Sequence, residues 1–450
     1  MKVVVIGCTH AGTSAVKAIL NENKDITLNV YERNDNVSFL SCGIALYVGG
    51  VVKKAEELFY SNPQELKDLG ANVFMQHDVT DINVEEKTVT VTNLLTNETF
   101  TDSYDKLVLT TGSWPIIPPI PGIESENILL CKNYNQALEI IARKDEAKRI
   151  AVIGGGYIGI ELVEAFVDSG KEVVLIDGLD RILNKYLDPE FTDVLEADLR
   201  SRGVTIALNE TCKEFIADEN GKVSKIITTN EEFEADMVIM CVGFRPSNEL
   251  IKDKVETLPN GAVIVNDYMQ TSRPEIYAAG DNVAVHYNPT GESAYIALAT
   301  NAVRMGALVG RNIVENKVKY RGTQGTSGLY LFGWKIGSTG ISEKSAPFFN
   351  LDVDSVVFED NYRPEFMPTT EKVQMKLIWD KKTGVILGGQ LMSKYDITQS
   401  ANTLSLAVQN KMTIEDLAYV DFFFQPHFDR PWNYLNLLAQ KAVEKFNSSK

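Results

Sequence analysis

The stretch Arg149-Ile-Ala-Val-Ile-Gly154-Gly-Gly-Tyr157-Ile-Gly159 decides the fold. An apolar run suited to a buried strand flows into Gly154, Gly156 and Gly159, and an apolar pattern predicts a helix over 160–169. A second strand, over 172–176, ends in Asp177, eighteen residues after Gly159. Glycines at this spacing permit a tight turn, close approach of backbone to a pyrophosphate, and packing of helix on strand. The helix N-terminus then offers free N–H groups and a positive dipole to phosphate. The carboxylate closing the second strand suits ribose hydroxyls.

The same pattern opens the chain. A strand over 2–6 leads into Gly7-Cys-Thr9-His10-Ala11-Gly12, then a helix from about Thr13, then a strand over 27–31 ending in Glu32. Thr9 stands where the middle glycine would be, so this copy alone is weak. Two complete strand–loop–helix–strand–acid units in one chain are strong, and they predict an α/β protein with two dinucleotide-binding, Rossmann-like domains. Tyr157 and Ile158 lie inside the second loop. Leu107-Val-Leu-Thr110-Thr111-Gly112-Ser113 and Ile276-Tyr-Ala-Ala-Gly280-Asp281 are further strand-to-turn runs of small residues, suited to close passage of a cofactor.

At 450 residues the chain has room for two or three domains. A formal charge of −17 argues against nucleic acid and anionic membrane surfaces as partners. No apolar run approaches the length of a membrane span, and the sequence starts directly with a strand pattern, so a cytoplasmic protein is expected. The five cysteines are Cys8, Cys42, Cys131, Cys212 and Cys241. They are odd in number and scattered, which excludes a disulfide framework and offers no metal-ligand spacing. Cys241 reads as a core strand residue. Cys42, in Ser38-Phe-Leu-Ser-Cys42-Gly43, reads as the opening of a helix, where the dipole would stabilise a thiolate. His77 and His286 read as surface or loop residues, and His427 carries no recognisable catalytic spacing.

The chain resembles the NADH oxidase / NADH peroxidase / coenzyme A-disulfide reductase family of pyridine nucleotide-disulfide oxidoreductases. The motifs are Thr9-His10-Ala11-Gly12, Phe39-Leu-Ser-Cys42-Gly43, Gly154–Gly159 with Glu161, Val242-Gly243-Phe-Arg245-Pro246 and Ala279-Gly280-Asp281. This resemblance implies two domains of the glutathione-reductase type plus a C-terminal α+β interface domain. The FAD domain would be built from residues 1–115 and 246–320, the NADH domain from 116–245, and the dimerisation domain from 321–450. The proline-rich stretch Ser113-Trp-Pro-Ile-Ile-Pro-Pro-Ile-Pro121-Gly122 marks the first crossover independently.

A disulfide reductase would carry a second cysteine five residues after the first, and Tyr47 stands there. A lone thiol can cycle between thiolate and sulfenic acid. The resemblance therefore implies hydride transfer from NADH to FAD and four-electron reduction of dioxygen to water. Cys42 would be the redox residue and His10 the acid/base. It implies Lys132, Ala299 and Phe424 at FAD, with Phe424 and its neighbours also at a subunit interface. Tyr157 would gate the nicotinamide, and Tyr186, Gly243, Ala297 and Gly328 would line the NADH path. Asp177 favours NADH over NADPH, since a carboxylate repels a 2′-phosphate. A homodimer or homotetramer is expected, and no metal. The alternatives are an NADH peroxidase acting on hydrogen peroxide, a coenzyme A-disulfide reductase, and a non-enzymatic flavin/NADH redox sensor.

Overall fold

The computed structural model describes residues 1–23 and 25–448. Its first sheet is parallel, in the spatial order Ile276–Ala278, Lys106–Leu109, Lys2–Ile6, Thr27–Glu32, Asn72–Met75. Val3, Val4 and Val5 are wholly buried, as a strand covered on both faces requires. A second parallel sheet repeats the plan with Thr205–Leu208, Glu172–Asp177, Arg149–Ile153, Met237–Met240, Ile128–Leu130. Each sheet is accompanied by a three-stranded antiparallel one, His77–Asn83, Thr88–Asn93 and Thr99–Ser103 in the first case, Glu214–Ala217, Val223–Ile227 and Glu232–Glu234 in the second.

The chain passes from the first sheet to the second and returns. The outgoing strand Ser113–Pro115 and the returning strand Phe244–Pro246 pair antiparallel, with Trp114 opposite Arg245. Returning residues supply the edge strand Ile276–Ala278 and helix Ala299–Asn312, which packs on helix His10–Glu22. Small residues make that packing close. A Cβ on Gly306 would lie 2.3 Å from Ala11 O, and one on Gly310 would lie 2.4 Å from Ala18 Cβ.

The last third is a five-stranded antiparallel sheet, in the order Ser327–Leu331, Trp334–Gly340, Ile386–Ser393, Lys372–Asp380, Val353–Asn361. Helices Thr398–Gln409, Ile414–Ala418 and Tyr434–Ser448 cover it. Among the described residues no helix is long and apolar enough to cross a membrane.

Both glycine-loop helices start three residues earlier than the sequence predicts, at His10 and Tyr157 rather than Thr13 and Ile160. The last glycine of each loop sits inside the first turn rather than before it. A Cβ on Gly12 would lie 2.1 Å from Gly7 O, and one on Gly159 would lie 1.9 Å from Gly154 O. His77 is also not in a loop. It begins a strand, half-buried beside Phe74 and Phe100, with Nδ1 2.8 Å from Met75 O. His286 lies exposed on strand Val283–Tyr287.

Candidate active site

Both glycine loops are closed by the acid at the end of the neighbouring strand. Glu32 Oε2 accepts the Cys8 N–H at 2.6 Å, and Asp177 Oδ2 accepts the Gly155 N–H at 2.6 Å. The first glycine of each loop is left-handed, Gly7 at φ +89° and Gly154 at φ +109°, and a Cβ there would strike Thr110 O or Cys241 O. The middle position differs. A Cβ on Gly156 meets nothing within 4 Å, so the bare loop tolerates a side chain there, and Thr9 is exposed at the matching place.

Residues 38–43 dock on the first loop. Ser38 is buried at φ +62° and donates its N–H to Cys8 O at 3.0 Å. Its Oγ donates to Ser61 O and accepts the Ser61 N–H, while the Leu40 N–H reaches Leu58 O. This pairing carries Tyr60 to His10, where Tyr60 Oη lies 2.8 Å from Nδ1 and the two rings stack in parallel.

Cys42 sits in the short turn Ser41–Gly43, ahead of the five-residue helix Ile44–Val48. The protein around it works against a thiolate. The residue is exposed by area, yet the surrounding protein is dense enough that desolvation is the first cause of a raised thiol pKa. The Glu161 charge adds to it and Lys132 opposes it. One short turn of helix does not offset burial and a neighbouring negative charge. Glu161 itself is pushed up to about 7, by burial and then by Glu164. His10 is held below the ordinary imidazole value, first by burial, with Asp281 raising and Lys132 lowering it. Asp281 acts on Cys42 too, raising its thiol, so Cys42 and His10 both feel Lys132 and Asp281.

Those charges belong to one knot. Ser113 Oγ donates to Asp281 Oδ2 at 2.9 Å, and Lys132 Nζ donates to both, at 3.1 and 3.2 Å. Lys132 also lies over the Phe244 ring. Thr110 Oγ1 secures the neighbouring loop through Ile6 O and Gly7 O. Around the knot, His10 Nε2 and Thr111 Oγ1 are buried without a protein partner, and Tyr295 Oη makes no hydrogen bond of ordinary geometry, with Ser113 as a polar neighbour. Gly112, at φ +68°, has open space where a side chain would be. Helices His10–Glu22 and Ala299–Asn312 begin with no side-chain cap and no acid in their first turn. Unpaired polar atoms and free helix N-termini around one cradle fit the phosphates and polar ring of FAD.

On the second loop, Tyr157 stacks on Tyr186 at 4.1 Å and its Oη reaches Ser327 Oγ at 2.7 Å, beside the exposed Gly328. Helix Tyr157–Asp168, with Ile158 in its first turn, also lacks a side-chain cap. Gly243 lies at φ +109° on the return crossover, and Ala297 is exposed just before helix Ala299–Asn312. Phe424 stands apart. It is 47% exposed in the segment after Ile414–Ala418, with Phe423 and Phe428 open beside it, and among the described residues nothing brings it to the knot.

The other four cysteines are passive. Burial, with Glu32 adding to it at Cys8, pushes Cys8 and Cys131 up to about 12 and Cys212 up to about 11, and burial raises Cys241 as well. Cys241 lies just past strand Met237–Met240 rather than within it. All five are free thiols. Sequence reading gave no role to Tyr60 or Tyr295. Glu161 carried a signal, two residues past Gly159, but its nearness to Cys42 is a tertiary fact.

Residues 1–306 match the pyridine nucleotide-disulphide oxidoreductase family, and 326–434 match that family's dimerisation domain. An NADH oxidase of Enterococcus faecalis is 72% identical over 444 residues, 99% of this chain and 100% of that protein. An NADH oxidase of Streptococcus pyogenes is 40% identical over 98% of this chain and 100% of its own length. Among solved structures, a water-forming NADH oxidase from Lactobacillus brevis bound to NADH is 56% identical. It superimposes with a TM-score of 0.98, over 100% of this chain and 99% of that one. The chain belongs to the pyridine nucleotide-disulphide oxidoreductases.

Proposed function

We propose that this chain is an FAD-dependent NADH oxidase that reduces dioxygen by four electrons to water, with Cys42 as its single redox thiol. One observation carries the reading. Cys42 has no second cysteine beside it, and it shares the charges of Lys132 and Asp281 with a histidine whose Nε2 is buried and unpaired. The names of the similar oxidases support it.

The loop Gly7–Gly12 with Glu32, the run Thr110–Ser113, Lys132, Asp281 and Ala299 would hold FAD, which supplies hydride acceptance from NADH and electron delivery to dioxygen. Gly154–Gly159 and Asp177 would hold NADH, with Tyr157, Tyr186, Gly243, Ala297 and Gly328 along its path. Asp177 selects against a 2′-phosphate by charge. Phe424 is assigned to an interface with a second copy, close to FAD.

The chain's own part is peroxide cleavage. The Cys42 sulfur attacks one oxygen of hydrogen peroxide, the O–O bond breaks, and sulfur becomes a sulfenic acid. The leaving hydroxide takes a proton and departs as water. His10 Nε2 takes the Cys42 thiol proton as the sulfur attacks and passes it to that hydroxide, so thiol plus peroxide gives sulfenic acid plus water. In the tautomer whose ring proton sits on Nδ1 and is donated to Tyr60 Oη, Nε2, the atom left without a protein partner, is free to accept the thiol proton. Two electrons originating in a second NADH, with two protons, return the sulfenic acid to thiol and release the second water. The sum is two NADH, one dioxygen and two protons giving two NAD and two water.

Cys42→Ser tests this division of labour. NADH should still be consumed and dioxygen still reduced, because neither step uses the thiol, and about one hydrogen peroxide per NADH should accumulate. A serine variant that still yields only water would make Cys42 structural and remove the reading.

A further inference from the structure

A cavity of about 530 Å³ lies on the far side of helix Ala299–Asn312 from helix His10–Glu22, facing helix Thr398–Gln409. One face of Ala299–Asn312 turns Gly306 and Gly310 to its partner helix, and another presents Arg304 and Arg311 to the cavity. The chain then returns past the opening with Lys319, Tyr320 and Arg321. Four cations therefore line this cavity and no carboxylate does. In a protein with 61 acidic and 44 basic side chains, that is a local reversal of charge.

The cations are poorly neutralised. Arg311 meets Glu22 only at 3.7 Å and Lys319 meets Asp267 only at 3.9 Å, both pairs on the exposed surface. Among the described residues Arg304 and Arg321 form no ion pair, and Arg304 is turned by a hydrogen bond to Asn301 Oδ1 at 2.5 Å. Tyr320 is 8% exposed, and its hydroxyl has no hydrogen bond of ordinary geometry, with Arg304 and Thr323 as its nearest polar neighbours. The opposite wall is polar and fixed, since Gln324 Nε2 donates to Ser405 O at 2.9 Å. Leu298 and Leu308 add an apolar side.

We infer that this cavity is a binding site for a polyphosphate-bearing small molecule, separate from both dinucleotide sites. Arg304 and Arg321 grip the phosphate oxygens through charge-assisted hydrogen bonds, and Lys319 and Arg311 add charge at the rim. The volume suits a ligand of mononucleotide size, and the apolar side leaves room for a base and sugar beyond the phosphates.

The test is calorimetric titration of the FAD-loaded enzyme, with saturating NAD present to occupy the nicotinamide nucleotide site. Pyrophosphate and ADP are the two probes. One site per chain is expected for at least one of them, with affinity falling at least ~10-fold in Arg304→Gln/Arg321→Gln while NADH turnover and its KM stay unchanged. Equal affinity for the two probes assigns the site to the phosphates alone, and tighter ADP binding assigns it to a nucleotide. The single variants Arg304→Gln and Arg321→Gln each retain part of the grip, so they give a graded loss if the double variant does not fold. No heat from either probe at millimolar concentration, or binding undiminished in folded variants, would overturn the assignment.

Discussion

The most consequential single residue outside the expected pair is Glu161. Its carboxyl titrates at about 7, because burial and Glu164 resist its ionisation, and once charged it holds the Cys42 thiol up. Glu161→Gln should therefore shift alkylation of Cys42 by iodoacetamide to lower pH. The two proteins should differ above pH ~7 and converge below it, where Glu161 is neutral in both. A raised carboxyl also favours the folded state when protonated. Stability of the parent should thus fall as pH rises from the ordinary value of 4.5 through about 7, a slope the glutamine variant loses. Superimposable alkylation profiles would remove Glu161 from the thiol's environment. At this scale the sequence disclosed residue types and their spacing. Glu32 and Asp177 were legible because each lies at a fixed distance from its own glycines. Tyr60 was not, because its partner is fifty residues away and only the pairing of residues 38–40 with 58–61 brings it to His10.

Among elements, the contact between helices His10–Glu22 and Ala299–Asn312 positions both the first glycine loop and His10. Gly306→Ala would place a methyl 2.3 Å from a backbone oxygen that cannot step aside. Overpacking of this kind should cost about 1–3 kcal/mol, and a thermal melt should fall accordingly. FAD should also dissociate faster, since the displaced helix carries the uncapped N-terminus at His10. An unchanged melting temperature would show that the helices yield without strain. The hydrophobic pattern disclosed these helices, but it placed their starts late, since a glycine was read as a boundary where it is a contact surface. The turn at Cys42 was read as a helix start for a similar reason. The small residues around it are compatible with either, and only the docking of Ser38 on Cys8 O settles the turn.

For the molecule as a whole, the two parallel sheets were legible because the glycine fingerprint occurs twice. For the C-terminal part the family resemblance implies only an α+β interface domain, and the antiparallel sheet itself was not legible, as its strands carry no fingerprint. One buried ionic group ties it to the start of helix Pro189–Ser201, which follows strand Glu172–Asp177 in the chain. Lys376, on strand Lys372–Asp380, is 1% exposed and meets Asp188 at 3.3 Å, Glu190 at 3.0 Å and Glu343 at 2.7 Å. Burial opposes its charge, yet the three carboxylates together raise its pKa. Asp188 is equally buried and is also held by Gln390. Lys376→Met leaves Asp188 without its countercharge, and should cost about 3–5 kcal/mol in denaturant unfolding. A loss under 1 kcal/mol would mean that Gln390 and the N–H groups of Glu343 and Lys344, which also donate to the carboxylate, satisfy Asp188 without the lysine. The central claim concerns the electron count of the whole enzyme, and an oxygen electrode measures it directly. With limiting NADH, the account predicts consumption of about half a mole of dioxygen per mole of NADH, with no oxygen returned on adding catalase. Consumption of about one mole per mole, with oxygen recovered by catalase, would contradict it.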